Sequence, residues 1–110
     1  MDETISAAEL ERLRASDTPF TILDVRRQID FEADDVMIPG ARRADPASID
    51  DWSQTLDPKE ALVIYCVKGG SVSQSVRASL SERGLNVRYV EGGIKAWKAQ
   101  GGTGTVKDSA

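Results

Sequence analysis

The sequence predicts a single α/β domain: an open, mostly parallel β-sheet with helices on both faces. Two observations support this prediction. Ala61–Tyr65 is a continuous apolar run of the kind found in strands buried on both faces. Shorter apolar runs alternate along the chain with helical patterns, as in parallel sheets whose strands are joined by helical crossovers. The length of 110 residues fits one domain.

Capping and apolar spacing define the elements before the central strand. Ser6 and Glu9 have the spacing of a capping box, so an amphipathic helix is predicted over residues 6–15, after a possible short strand at 4–5. A second strand covers residues 20–23 and ends in polar residues. The remaining elements predicted in this half are a short helix over 28–33, a turn and strand entry over 38–41, and a short helix or turn over 45–52.

The elements after the central strand are predicted in the same way. Val72, Val76 and Leu80 recur at i, i+4 and i+8, which predicts a helix that ends near residues 83–84. A strand over 85–90 and a helix over 94–100 follow, the helix burying Ile94 and Trp97. We assign residues 1–102 to the domain and predict that the polar residues 103–110 form a flexible tail.

The one cysteine of the chain, Cys66, stands where the central strand ends. A short loop with two glycines follows it, and then a helix begins. A strand, a glycine-rich turn and a helix N-terminus together gather backbone N–H groups and the positive end of a helix dipole. Such surroundings stabilise a thiolate. The pattern indicates a reactive cysteine that handles small anions, the alternative being a buried cysteine that only fills space.

The predicted site follows from the position of this loop. Parallel strands place their carboxyl ends at one edge of the sheet, so the polar residues after the 20–23 strand are predicted on the same rim as Cys66. Those residues either face the site or tie the strand end to a neighbouring loop. Besides the nucleophile Cys66, the predicted substrate-binding residues are Val67, Lys68, Gly69, Gly70, Ser71, Val72, Asp24 and Arg26.

Composition excludes several other classes of function. The chain has no histidine, which rules out a Cys–His dyad, a Ser–His–Asp triad and a histidine-based zinc site. One cysteine allows neither a Cys-x-x-Cys motif nor an internal disulfide, so we expect no metal or cofactor and a reducing cytoplasm. The net charge of −4 argues against nucleic-acid binding. The absence of an apolar run of about 18 residues argues against a membrane span.

The motifs taken together resemble those of single-domain rhodaneses, a family of sulfurtransferases. The stretches that carry the resemblance are Ile5 and Ser6 with Glu9 and Leu10, residues 22–26, residues 38–41, residues 66–71, and residues 91–93 with Trp97. They span almost the whole chain in the family's order. The resemblance implies a five-stranded parallel sheet flanked by helices.

The resemblance also implies a mechanism. The Cys66 thiolate would take a sulfur atom from a donor such as thiosulfate as a persulfide held by the amides of residues 67–72. Cyanide or a thiol, on a small molecule or a protein, would then remove it. The loop C-V-K-G-G-S is similar to the thiosulfate-type pattern C-R-K-G-V-T, and Lys68 favours an inorganic anionic donor. Met37 stands where many members have histidine, Val67 where arginine or tyrosine is frequent, and Ser71 where many members have arginine. The site is therefore less cationic than in some relatives.

Two other functions are compatible with a cysteine at this position. A cysteine-dependent phosphatase needs the spacing Cys-x5-Arg, because the arginine fork holds the phosphoryl oxygens. Val72 occupies the arginine position, which argues against that class. The other possibility is a relay domain that carries a persulfide to a partner protein without fast turnover of its own.

Overall fold

A computed structural model of the chain describes residues 4–34, residues 36–101 and the backbone of residues 105–106. Within these residues the strands are β1 (Thr4–Ile5), β2 (Phe20–Asp24), β3 (Val36–Met37), β4 (Arg42–Arg43), β5 (Ala61–Tyr65), β6 (Asn86–Val90) and β7 (Thr105–Val106). Five of them form one sheet in the order β1-β6-β5-β2-β4, and every pairing in it is parallel. The predicted fold class is therefore confirmed.

The helices of the described residues are α1 (Ala7–Ala15), α2 (Gln28–Ala33), α3 (Ile49–Trp52), α4 (Ser71–Glu82) and α5 (Gly93–Ala99), with short 3-10 turns at Pro46–Ser48 and Ser53–Thr55. The predicted capping box at α1 is present. The Ser6 hydroxyl accepts from the Glu9 N–H at 3.0 Å, and the Glu9 carboxylate accepts from the Ser6 N–H at 3.2 Å. No helix formed by the described residues combines the length and apolar character needed to cross a membrane.

Helices cover both faces of the sheet because the side chains of β2 and β5 alternate between the two faces. Leu10 of α1 and Trp97 of α5 pack in the core cluster that contains Ile22 and Val63. On the opposite face the core cluster consists of Leu23, Val25, Ala44, Leu62, Ile64, Val76, Leu80, Leu85 and Val87. The strand β5 is central and buried on both sides, as its continuous apolar run predicted.

The sequence did not predict the small second sheet. Val36 pairs with Val106 and Met37 with Thr105 in an antiparallel ladder. Strands of two residues are too short to show a periodic pattern, so neither was recognised. Residues 105–106 thus pair as a strand where the sequence predicted a flexible tail, and the rest of that predicted tail lies outside the described residues. The other boundaries agree to within one or two residues: β6 begins one residue later than predicted, and α5 lies one residue earlier.

Candidate active site

The backbone around Cys66 is fixed by the first turn of α5. Cys66 directly follows the central strand β5 and is only 5% exposed. Its carbonyl accepts a hydrogen bond from the Ile94 N–H at 3.0 Å, and the Val67 carbonyl accepts one from the Lys95 N–H at 3.1 Å. The loop that follows the cysteine is therefore held on one side by a helix whose own position is set by the buried Trp97.

Two glycines let the cysteine loop and the start of α5 approach this closely. Gly93 has a φ of +61°, and a Cβ atom there would lie 2.4 Å from the Cys66 carbonyl oxygen. Gly69 has a φ of +71°, and its Cβ would lie 2.9 Å from both the Val90 oxygen and the Gly92 nitrogen. Only glycine fits at either position. Gly69, predicted as a substrate contact, therefore serves the packing of the loop and does not line the cavity described next.

Cys66 lies on the wall of a cavity of about 340 Å³. Residues from the loop, from the start of α4 and from the region of α2 line it: Arg27, Asp30, Cys66, Val67, Lys68, Gly70, Ser71 and Val72. Five of the predicted loop contacts are thus brought together with the cysteine. The cavity accordingly places the Cys66 thiol beside a polar wall.

The backbone amides beside this cavity are available to a ligand. Within the described part of the chain, the N–H groups of the cavity-lining residues 67, 68, 70, 71 and 72 donate to no carbonyl or side chain. Gly70 is the N-cap of α4 and provides no side-chain cap. The first turn of a twelve-residue helix therefore presents free donors and a positive dipole end next to Cys66. This is a favourable environment for a small anion.

The charged side chains at the cavity are two cations and one carboxylate. Lys68 is exposed. The Arg27 side chain is 64% exposed and its Nε lies 3.2 Å from Asp30 Oδ2. The local balance is positive although the whole chain carries a net charge of −4. Because these side chains are exposed, they attract anions weakly and in a salt-dependent way.

Asp24 and Arg26 do not line this cavity, which corrects the prediction that they face the site. They are 0% and 1% exposed and form a two-pronged ion pair, with Arg26 Nη2 2.7 Å from Asp24 Oδ2 and Nε 3.0 Å from Oδ1. Arg26 also donates to the Val36 carbonyl at 3.2 Å. The alternative that the sequence left open, in which these residues tie the strand end to a neighbouring loop, is the one that the structure shows.

Tyr65 completes this buried network. Its hydroxyl donates to Asp24 Oδ2 at 3.1 Å and accepts from the Ile38 N–H at 3.2 Å. Burial and the negative charge of Asp24 both raise the pKa of Tyr65, so the phenol stays protonated. Burial alone would lower the pKa of Arg26, but the hydrogen bond and charge of Asp24 outweigh it and raise that pKa. Every charged group here has a partner, as expected of a structural network.

Sequence reasoning missed Arg27 and Asp30. Arg27 precedes α2 and Asp30 lies in its first turn, so the two are three residues apart and reach the cavity together. One signal in the sequence was available, because successive side chains of an extended segment point to opposite sides. If Arg26 turns inward beside Asp24, Arg27 must face away from that buried network. A charged residue directly after the inward one could have been chosen on that basis.

Comparison with known proteins agrees with this geometry. The family model described as rhodanese-like domain matches residues 6–100. The chain belongs to the rhodanese-like domain family. A thiosulfate sulfurtransferase, GlpE of Coxiella burnetii, is 35% identical over 79 residues, which cover 71% of each chain.

Two further similarities place the rhodanese-like domain in context. A rhodanese-related protein from Thermoplasma volcanium has a solved structure that aligns with a TM-score of 0.82 at 25% identity, covering 96% of this chain and 99% of that one. A tRNA 2-selenouridine synthase of Shewanella loihica is 38% identical over 50 residues, which are 46% of this chain and only 13% of that protein. Similar sequence thus occurs both in proteins of this size and within a much longer one.

Proposed function

We propose that this rhodanese-like domain is a sulfurtransferase that moves a sulfane sulfur atom from thiosulfate to a thiophilic acceptor through a persulfide on Cys66. The observation that carries the proposal is the position of Cys66 on a cavity next to unpaired amides and the positive end of α4. The similarity to a thiosulfate sulfurtransferase supports the choice of donor.

The reaction has two steps, each a displacement at sulfur. In the first, the Cys66 thiolate attacks the outer sulfur of thiosulfate, the S–S bond of the donor breaks, and sulfite leaves with the bonding electrons. In the second, cyanide or a thiolate attacks the outer sulfur of the persulfide, and Cys66 leaves as a thiolate. The amides of residues 67–72 would stabilise the anionic donor and the persulfide. Neither step requires a histidine base, and the chain has no histidine.

The experiment is to incubate the purified protein with thiosulfate, identify the modified residue by mass spectrometry, and then measure thiocyanate after adding cyanide. We expect one added sulfur atom on Cys66 and continuous turnover. A Cys66→Ser variant should lose both while keeping the circular dichroism spectrum of the folded protein. If correctly folded wild-type protein takes up no sulfur from thiosulfate or other donors, the proposal is wrong.

A sulfur-relay domain is the second candidate. The observation that favours it is the similar stretch of 50 residues in the tRNA 2-selenouridine synthase of Shewanella loihica, where it makes up only 13% of the protein. Rapid persulfide formation with negligible release of thiocyanate would support the relay, whereas many turnovers per protein would support the independent enzyme.

Hydrolysis of p-nitrophenyl phosphate tests the phosphatase alternative, and we expect none because Val72 occupies the arginine position.

A further inference from the structure

A second and larger cleft opens beside the cavity of Cys66. Its volume is about 730 Å³, and it shares Arg27, Ser71 and Val72 with the smaller cavity. The three shared residues make the two spaces neighbours along one edge of the sheet. The near end of the large cleft therefore adjoins the cavity that Cys66 lines.

The large cleft is a groove between α4 and the segment after β4. Ser71, Ser75 and Ser79 line it from α4 at intervals of one helical turn, so their hydroxyls form a row. The opposite wall comes from residues 45–49, including Ile49. At a rise of 1.5 Å per residue, the row from Ser71 to Ser79 is about 12 Å long. An extended peptide rises about 3.3 Å per residue, so about four residues match this length.

The small substrates do not account for this space. Thiosulfate and cyanide consist of a few atoms, and the cavity of about 340 Å³ already exceeds their needs. Clefts of roughly 300–1,000 Å³ hold ligands of the size of a drug or a short peptide. Val72, Val76 and Ile49 offer apolar contacts, and the serine row offers hydrogen bonds. A mixed wall of this kind suits a peptide, which has both polar backbone and apolar side chains.

We propose that the groove binds the sulfur acceptor, and that this acceptor is an extended cysteine-containing peptide segment of about four residues. This inference rests on the proposed function. The cysteine of the peptide lies at the shared end, where its thiolate attacks the outer sulfur of the Cys66 persulfide. The S–S bond of the persulfide breaks, Cys66 leaves as a thiolate, and the peptide carries the new persulfide. Arg27, which lines both spaces, and Lys68 of the smaller cavity favour a carboxylate next to that cysteine.

The experiment compares acceptors on protein preloaded with thiosulfate. The probes are the peptide acetyl-Asp-Cys-Ala-Val-Ser-amide and 2-mercaptoethanol at equal thiolate concentration, and mass spectrometry follows loss of the added sulfur. We expect the peptide to react at least about tenfold faster, equivalent to about 1.4 kcal/mol of binding energy used in the reaction. Equal rates for the two thiols would overturn the proposal.

Substitutions in the groove away from Cys66 test whether the groove causes the faster reaction of the peptide. Ser79→Tyr fills the end of the groove distant from Cys66 and should reduce the advantage of the peptide over 2-mercaptoethanol to less than about twofold. Ala47→Tyr narrows the groove from the opposite wall and serves if the first variant fails to fold. The matched control is Ser81→Tyr, an exposed position on the same helix that does not line the groove. Retention of the full advantage in both groove variants would overturn the proposal.

A binding measurement separates this proposal from the sulfurtransferase proposal. The unreactive peptide acetyl-Asp-Ser-Ala-Val-Ser-amide is titrated into isotopically labelled wild-type protein, and amide chemical shifts are followed by NMR. Shifts confined to α4 and residues 45–49 support the groove even if no persulfide forms on Cys66. Absence of shifts at those positions overturns the groove even if Cys66 turns over thiosulfate and cyanide normally.

Discussion

The carboxyl ends of β2 and β5 lie side by side on the same edge of the sheet, yet the residues that follow them have different roles. After β2, Asp24 and Arg26 turn inward and satisfy each other, with Tyr65 and the backbone of Val36 as further partners. After β5, Cys66 opens onto a cavity whose neighbouring amides have no partner in the described residues. Polar groups at a strand end thus have a structural role when their hydrogen bonds are satisfied within the protein. They can form a binding site when their donors and acceptors have no partner within the protein.

The largest effect that this comparison predicts is on stability. Asp24→Ala would remove the buried, two-pronged partner of the Arg26 guanidinium and leave only the Asp34 carboxylate, 3.6 Å away and one-third exposed, which costs about 3–5 kcal/mol of unfolding free energy. Urea denaturation followed by tryptophan fluorescence measures the loss. Asp50→Ala removes the partner of Arg83 at the surface, where Asp50 is 82% exposed, and should cost at most about 1 kcal/mol.

A double substitution makes the test of the β2 network sharper. Asp24→Leu combined with Arg26→Met removes both charges together and should recover much of the stability, because no unpaired buried charge remains. If Asp24→Ala alone costs no more unfolding free energy than Asp50→Ala, the buried network does not stabilise the fold.

The next effect concerns the support of the cysteine loop. Gly93→Ala combines a strained φ with a clash against the Cys66 carbonyl, so the loop must move. We expect thiocyanate formation to fall by about 100-fold, since a displacement of about 1 Å can cost that much. The control is Gly84→Ala, which has a φ of +82° but nothing within 4 Å of the added Cβ. Equal losses in the two variants would mean that backbone strain, and not loop displacement, causes the defect.

A smaller effect is expected at the mouth of the cavity. Lys68→Ala removes one exposed cation and should raise the KM for thiosulfate by up to about fivefold, or about 1 kcal/mol, with a lesser effect on the KM for mercaptopyruvate. Added salt should reduce the difference between wild type and variant. Lys59→Ala, an exposed lysine before β5, is the control and should change neither value. Equal losses with both donors would contradict the preference for an inorganic anion.

The smallest effect is a pH dependence at the edge of the β2 network. Partial burial would raise the pKa of Asp34, but hydrogen bonds from Lys98 and the Val36 N–H, with the charges of Lys98 and Arg26, lower it overall. A lowered carboxyl pKa adds stability above its unfolded value and loses it as pH falls. Asp34→Asn should therefore cost up to about 1 kcal/mol at neutral pH.

Denaturation of wild type and Asp34→Asn across pH checks this prediction. The difference in unfolding free energy should shrink as the pH falls below about 4 and vanish once Asp34 is protonated in both states. Asp51→Asn, at an exposed position of α3, should show no comparable pH-dependent difference. A difference in unfolding free energy between wild type and Asp34→Asn that stays constant down to low pH would contradict the role assigned to the ionised carboxylate.

The sequence alone determined the main parallel sheet, its helices and the position of Cys66 at the end of the central strand. The apolar run of β5, the capping box at Ser6 and the spacing of Val76 and Leu80 are local patterns, and they depend on burial and hydrogen bonding within a few residues. For the same reason the cysteine loop could be assigned from its glycines and the helix that follows. Membership of the rhodanese-like family agrees with each of these features.

Only the tertiary structure decided which polar residues serve the site. Asp24 is held in the interior by Tyr65, which lies far along the chain, and Arg26 by Asp24, while Arg27 reaches the cavity. Gly93 supports the loop through contacts with Cys66 that no local pattern encodes. The two-residue pairing of β3 with β7 likewise depends on residues about 70 positions apart. These features depend on partners brought together by folding, and a strand end by itself does not show which way its charges will turn.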